Sequence, residues 1–391
     1  MLILVGELGP VGFAVGFVLA VLPVAVYLVL GLWIDRYEPE PPRLLAGAFL
    51  WGATGATLVA LIFNTAGQLI VGAALGSEVG RLYGGSLSAP FIEEVSKAAA
   101  LYAIYRWRRH EFDGVLDGIV YAGMVGLGFA LTENVLYYGR AGLEGDGALA
   151  ATFFVRGVLS PFAHPLFTAM TGMGLGLAAL REGTGWRVAS VIGLFGAMVL
   201  HSLWNTSAGL SGGLGFLGVY VLVMVPVFVS LLAVVVAAMV RERSVIAQFL
   251  APEVASGVVS PADLQALSSL AGRRRALRAA RRQGPAALRA RKELQHGAIE
   301  LAFLRRHRAR RPHHDEARLA ALEAAYAERV RQLGGARPES LAPVAAVAGS
   351  PAHASPAPGT AQPPPAWYPD PYGQARLRWW DGWRWTEHLA A

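Results

Sequence analysis

Cysteine is absent from the 391 residues, which excludes disulfides, thiol nucleophiles, iron–sulfur ligation and S-acylation together. Lysine is nearly absent too: Lys97 and Lys292 stand alone against a large excess of arginine, as a GC-rich genome would produce. Charge is thin, at 16% of residues against 54% hydrophobic, and unevenly placed. From Val11 to Val240 the chain is a series of apolar runs, whereas from Arg241 onward it is rich in Arg, Ala, Glu and Pro. A soluble enzyme would mix the two along its length; a membrane domain followed by a soluble tail separates them. The net charge of +7 comes largely from that tail. The first run lacks a basic n-region, and Trp33-Ile34-Asp35-Arg36 is no cleavage site, so it reads as a retained span and not a signal peptide.

A hydrocarbon core takes about 20 apolar residues per helix, and runs at 11–33, 46–74, 88–105, 115–138, 158–180, 188–209 and 214–240 give about seven spans. The second run is long enough to tilt or break near Asn64, and 150–158 suits an interfacial helix leading into the fifth. Arg36 and Arg43 follow the first span, Arg106, Arg108 and Arg109 the third, Arg181 and Arg187 the fifth, and Arg241 and Arg243 the seventh. The opposite loops offer little beyond Arg81 and Arg140. The positive-inside bias therefore predicts a multi-pass protein of a bacterial cell membrane, N-terminus outside and C-terminal tail cytoplasmic.

Polar residues inside these runs are grouped. A mid-bilayer carboxylate costs at least ~2.5 kcal/mol on insertion scales, so such groups are rare and usually functional. The third run holds Glu93, Glu94 and Lys97, the fourth Phe129, Glu133 and Asn134, the fifth His164-Pro165, and the sixth His201 and Asn205. Helical spacing lets Lys97 reach either glutamate, and puts His201 and Asn205 on one face. Two adjacent carboxylates in a low-dielectric site will not both ionise freely, and carboxylates beside imidazoles are equipment for general acid–base chemistry. A lone Glu–Lys pair could equally be a helix clasp. Asp117, near a span end, is as suited to ordering its turn as to chemistry. Glycines at 123, 126, 128, 172, 174 and 176 allow close helix approach.

At these residues the sequence resembles the PrsW family of intramembrane proteases. Glu93-Glu94-Val95-Ser96-Lys97 looks like its E-E-x-x-K motif, and Phe129 to Asn134 like F-x-x-x-E-N. The run from Arg156 through His164-Pro165 resembles the third motif region, and His201 to Asn205 the fourth. The resemblance covers most of residues 1–240 and implies peptide hydrolysis within the membrane, on membrane-anchored proteins such as an anti-sigma factor. The wider CAAX-protease superfamily usually has histidine where this chain has Glu133, a catalytic candidate here as a second acid–base group or a metal ligand.

The preferred mechanism is glutamate-type and metal-free: Glu93, supported by Glu94, polarises water, His164 positions it or protonates the leaving amine, and His201 and Asn205 stabilise the oxyanion. Lys97, Phe129, Asn134, Asp117 and Arg156 are supporting residues. The alternative is a divalent ion such as zinc, held among Glu93, Glu94, Glu133, His164 and His201, although no H-E-x-x-H spacing is present. A proton-coupled transporter is the reading from another class, but no internal repeat supports it.

The expected fold is thus an all-α polytopic membrane helical bundle over 1–243, with a cytoplasmic basic helical region at 244–335. A disordered Pro/Ala-rich linker at 336–364 and a small Trp-rich C-terminal β module at 365–391 follow. Ser260-Pro261-Ala262-Asp263 has the chemistry of a helix start, and Pro285 and Pro312 suggest two more. Leu319, Leu322, Tyr326, Val330 and Leu333 form one apolar face of a helix ending at Gly334-Gly335, giving a small helical hairpin or three-helix unit. The tail's arginines suit anionic lipid or solvent better than nucleic acid. The last stretch resembles a short Trp-rich domain of unknown function found in actinobacterial membrane proteins. Asp381-Gly382 marks a turn between aromatic strands, in a module that could bind a partner.

Overall fold

The computed structural model describes residues 2–108, 111–180, 184–210, 212–310, 316–335, 366–369, 377–380 and 385–390. The chain divides into two units, Met1–Arg337 and Pro338–Ala391. All described elements of the first are helical. Its elements are α1 (Leu2–Ile34), α2 (Pro42–Leu50), α3 (Thr57–Leu75), α4 (Ser77–Tyr83), α5 (Ala89–Trp107), α6 (Val115–Glu144), α7 (Asp146–Phe153) and α8 (Ala163–Leu180). They continue with α9 (Thr184–Leu210), α10 (Gly212–Val219), α11 (Val225–Phe249), α12 (Ala251–Ala255), α13 (Pro261–Leu267), α14 (Leu270–Gln283), α15 (Pro285–Arg310) and α16 (Glu316–Gly335).

Among the described residues, six stretches are long and apolar enough to cross a membrane: Ile3–Ile34, Pro42–Leu75, Val115–Glu144, Asp146–Leu180, Arg187–Ala208 and Gly213–Ala255. The third expected span, 88–105, is the 19-residue α5. At 1.5 Å per residue it has the length, roughly 28 Å, but Glu93, Glu94 and Lys97 take it out of the apolar class. Its charges are buried inside the bundle, where the protein and not lipid surrounds them. The first unit is an all-α, multi-pass membrane fold.

The rod Pro42–Leu75 does not break near Asn64. Its irregularity is a wide π-helical turn at Trp51–Ala56, while the Asn64 side chain accepts a hydrogen bond from Ser88 Oγ (2.9 Å) and so is satisfied within a continuous helix. The expected helix over 150–158 is present as the end of α7 and a π-helical turn at Phe154–Leu159, separated from α8 by a break at Ser160–Phe162.

Helix α6 is the axis. In its most apolar stretch 83% of residues are buried, against 22% for α1 and 6% for the α2–α3 rod, whose outer faces carry the apolar side chains that lipid would cover. Small residues let neighbours reach it. A Cβ added to Gly118 of α6 would lie 2.1 Å from the Gly172 carbonyl oxygen of α8, and the reverse substitution meets Gly118 at the same distance. Backbones this close leave no room for a side chain, so α6 and α8 are locked in register along the faces that carry the polar residues.

Beyond the bundle, Ser260 caps α13 by accepting from the Asp263 N–H (3.0 Å), and α15 begins at Pro285 as expected. Pro312 lies outside the described residues. Arg308–Glu316, Arg305–Glu323 and Arg329–Glu293 pair α15 with α16 in antiparallel sense. Of the expected apolar face of α16, Val330 is buried and Tyr326 and Leu333 pack beside it, whereas Leu322 is exposed. Helices α15 and α16 do not stand alone. They share a core with the end of α11, built on Val245, Ile246, Leu250, Leu294 and Leu301. Several tail arginines are inward-facing. Arg273 donates to the Arg36 carbonyl (3.1 Å) and Arg306 to Asp113, while Arg274, Arg275, Arg281 and Arg282 remain exposed on α14.

In the second unit β1 (Ala366–Pro369), β2 (Leu377–Trp380) and β3 (Trp385–Ala390) form an antiparallel sheet in the order β1-β2-β3. The expected hairpin is β2–β3, extended by one more strand. Trp367 and Trp379 meet edge to face, 5.4 Å between ring centroids. The Asp381-Gly382 turn and the 336–364 segment lie outside the described residues.

Candidate active site

Four helices and one turn bring the grouped polar residues to one place. On α5, Lys97 Nζ lies 2.8 Å from Glu94 Oε1 and 3.5 Å from Glu93 Oε2, as the three- and four-residue spacings allow. Lys97 and Glu94 are wholly inaccessible, and Glu93 is 5% exposed. The Phe129 ring of α6 lies under the ammonium at 3.9 Å. The cation is therefore held by two carboxylates and a π face, with no water needed.

Helix α8 supplies His164, whose Nδ1 is 3.0 Å from Lys97 Nζ and whose Nε2 is 2.6 Å from Glu133 Oε2. An ammonium only donates, so Nδ1 accepts from it and Nε2–H donates to Glu133. Arg156, on the turn before α8, closes the other side of Glu133: its Nη2 donates to that carboxylate and its Nε to Asn134 Oδ1 (2.6 Å). A cavity of about 20 Å³ opens beside His164, Arg156, Asn134 and Trp204, room for about one water.

From α9, His201 presents both ring nitrogens to the glutamate pair. Nδ1 is 3.0 Å from Glu94 Oε1, and Nε2 is 3.8 Å from Glu93 Oε2. Phe167 stacks on the His201 ring at 4.9 Å. Glu94 is thus saturated by Lys97, His201 and the hydroxyl of Thr168 (3.2 Å). Glu93 differs: its Oε2 is buried and accepts no hydrogen bond.

Two expected residues stand apart. Asn205 donates its amide to the Gly85 carbonyl (3.0 Å), bracing α9 against the turn that leads into α5. Asp117 accepts from the Asp113 N–H (2.9 Å) at the first turn of α6, sixteen residues before Glu133 and so roughly 24 Å away along the helix. Thr168 and Phe167 were not singled out from the sequence. Thr168 follows His164 by four residues on the same face, and that spacing is the signal that marks it.

A metal can be tested against these donors. One donor atom each from Glu93, His164 and His201 lie within 4.8 Å of one another. Two imidazoles and a carboxylate are a known zinc donor set. Each imidazole is also backed by a carboxylate, Glu94 behind His201 and Glu133 behind His164, an arrangement that orients metal-binding histidines. The buried, unsatisfied Glu93 Oε2 is the atom an ion would claim. The donors fit, with one condition: Lys97 now holds the His164 Nδ1 lone pair, so the ammonium and an ion contend for it.

The fold and this cluster define a polytopic membrane protein with a buried glutamate–histidine–lysine centre. Residues 40–231 match the family described as PrsW family intramembrane metalloprotease, and the chain carries a domain of that family there. Residues 365–391 match a family described as protein of unknown function (DUF2510). Relatives include the "Protease PrsW" of Geobacillus kaustophilus, 35% identical over 144 residues (37% of this chain, 58% of that protein). That of Bacillus subtilis is 33% identical over 144 residues (37% and 60%), and that of Clostridioides difficile 31% over 159 (40% and 63%). The chain thus spans less than two thirds of the length of these relatives. No solved structure matches it.

Proposed function

We propose that the membrane domain is an intramembrane endopeptidase that hydrolyses a peptide bond of membrane-anchored proteins, of which an anti-sigma factor is one example. The observation that carries this reading is the contrast between Glu94, saturated by three donors, and Glu93, whose buried Oε2 accepts none and faces His201 Nε2. A carboxylate kept free of hydrogen bonds inside a bundle is poised to take a proton from water. Glu93 polarises the water, which attacks the scissile carbonyl. Lys97 and His201 offset the charge that develops. The proton passes to the leaving amine, with His164 as the relay, its tautomer fixed by Glu133. Arg156 and Asn134 hold Glu133 in place.

A second reading uses the same residues, favoured by the Glu93–His164–His201 donor set. Glu93, His164 and His201 would hold a divalent ion such as zinc, which when bound lowers the pKa of water and polarises carbonyls. In that reading Glu94 and Glu133 orient the imidazoles.

The orientation we propose has α5 as a seventh crossing, the N-terminus outside and the α12–α16 helices in the cytoplasm, where the exposed arginines of α14 meet anionic lipid headgroups. The C-terminal β module is proposed to bind a cytoplasmic protein partner.

The test is cleavage of a membrane-anchored reporter by purified protein in liposomes, with and without chelator, for the wild type and Glu93→Gln. Cleavage lost in Glu93→Gln supports the reading. Equal cleavage in both overturns it, and chelator sensitivity selects the metal form. Because the chain has no cysteine, single introduced cysteines report sidedness directly.

A further inference from the structure

A second group of acids lies at the other end of α6. One carboxylate oxygen each from Glu38, Asp117 and Glu242 come within 4.8 Å of one another. Glu38 belongs to the loop between α1 and α2, Asp117 to the first turn of α6 and Glu242 to α11. Asp117 and Glu242 are each 6% exposed. Asp35, Glu40 and Asp113 are buried close by. Among the described residues, the cations facing these six carboxylates are few. Arg306 of α15 pairs with Asp113 and stands 3.6 Å from Glu38, Arg273 of α14 lies on the Glu242 side, and His307 is 3.8 Å from Asp113.

Hydrogen bonding among the described residues does not close this deficit at Glu38 and Glu242. Glu38 Oε2 is inaccessible and accepts no hydrogen bond. Glu242 is more than nine-tenths buried, offers an oxygen to the cluster, and makes no hydrogen bond or ion pair to any described residue. Buried carboxylates without donors are costly unless they are protonated, paired or bound to a metal. Oxygen-only ligands select hard cations, and two oxygens each about 2.4 Å from a calcium ion are at most about 4.8 Å apart.

We propose that Glu38, Asp117 and Glu242 bind a hard divalent cation, magnesium or calcium. The site is separate from the Glu93 centre, because Asp117 and Glu133 lie roughly 24 Å apart along one helix. Its ligands come from the first loop, the axial helix and α11, and Arg306 reaches in from α15. The ion ties the loop after α1 and the first turn of α6 to α11, the helix that leads into α12–α16, and neutralises the acids that face each other there.

The experiment uses the full chain in detergent, stripped of metal and titrated with Mn²⁺ under electron paramagnetic resonance. Mg²⁺ and Ca²⁺ serve as competitors, and thermal unfolding is followed in parallel. The expected result is Mn²⁺ displaced by Mg²⁺ or Ca²⁺ and a midpoint that rises with either ion. Glu242→Gln and Asp117→Asn should each weaken binding by on the order of tenfold or more, while Glu93→Gln leaves this competable site in place. Wild-type protein with no Mg²⁺- or Ca²⁺-competable Mn²⁺ overturns the proposal, as does binding unaltered in both site variants. Should the site variants misfold, Glu93→Gln decides: Mg²⁺- or Ca²⁺-competable Mn²⁺ retained in that protein supports the site, and its loss there overturns it.

Discussion

The two ring nitrogens of His201 face two consecutive glutamates, Nδ1 at 3.0 Å from Glu94 and Nε2 at 3.8 Å from Glu93. Neighbouring helical residues project about 100° apart, so only a group lying between them touches both. The imidazole is therefore a divider that gives the pair unequal surroundings.

That inequality separates two substitutions. Glu93→Gln should leave the midpoint of thermal unfolding near wild type while reducing reporter cleavage by at least about a hundredfold. Glu94→Gln strips Lys97 of its nearest counter-charge and should cost about 3–5 kcal/mol of stability. Circular dichroism melts beside cleavage assays check both. Equal destabilisation by the two substitutions would refute the division of roles.

Lys97→Met distinguishes the two chemical readings. If an ion uses His164 Nδ1, removing its competitor tightens divalent binding at the Glu93 centre, measured by zinc titration of stripped protein. Unchanged or absent zinc binding in Lys97→Met would favour the metal-free glutamate mechanism.

Arg156 acts through a fork, one nitrogen on Glu133 and another on Asn134. Lysine preserves the charge without the fork. Arg156→Lys should recover little of the cleavage lost in Arg156→Ala, and full recovery would reduce the role to charge alone.

Two glycines on α6 form a controlled pair. A Cβ at Gly126 would lie 2.8 Å from the Pro165 nitrogen and 2.9 Å from the His164 carbonyl oxygen, whereas at Gly123 it meets nothing within 4 Å. Gly126→Ala should displace the start of α8 and lower cleavage, and Gly123→Ala should not. The two variants assayed together decide this.

Burial raises the Asp35 carboxyl from its ordinary value to about 7; the Glu40 N–H partly opposes the shift and Asp117 adds to it. A folded-state pKa raised this way gives stability that is full below the unfolded value, 3.8, and lost as pH rises through about 7. Thermal melts from pH 4 to 8 should show the wild type losing stability relative to Asp35→Asn. Parallel curves would contradict this.

The polar cluster was legible because its members obey short-range rules. Glu93, Glu94 and Lys97 share one helix, and polar groups in apolar runs are conspicuous. The third span is legible from its length, although the residues that reveal the site also remove α5 from the class of apolar helices. Asn64 invited a break because its partner, Ser88, comes from a separate helix entry that no local pattern discloses. The docking of the tail was hidden for the same reason: Arg273 and Arg306 look like any solvated arginine until the loop after α1 is brought to them. Asp117 fits two roles in the sequence, because Glu38 and Glu242 sit far from it along the chain.

Helix α11 has a practical consequence. Val235 and Met239 pack in the bundle core and Val245 and Ile246 in the core beneath the tail, on one uninterrupted helix. A stop codon placed after residue 243, where composition changes, would saw through that girder. It would bare apolar side chains on both pieces, so a shortened protein for crystallisation should end after α16 and not at the apparent border.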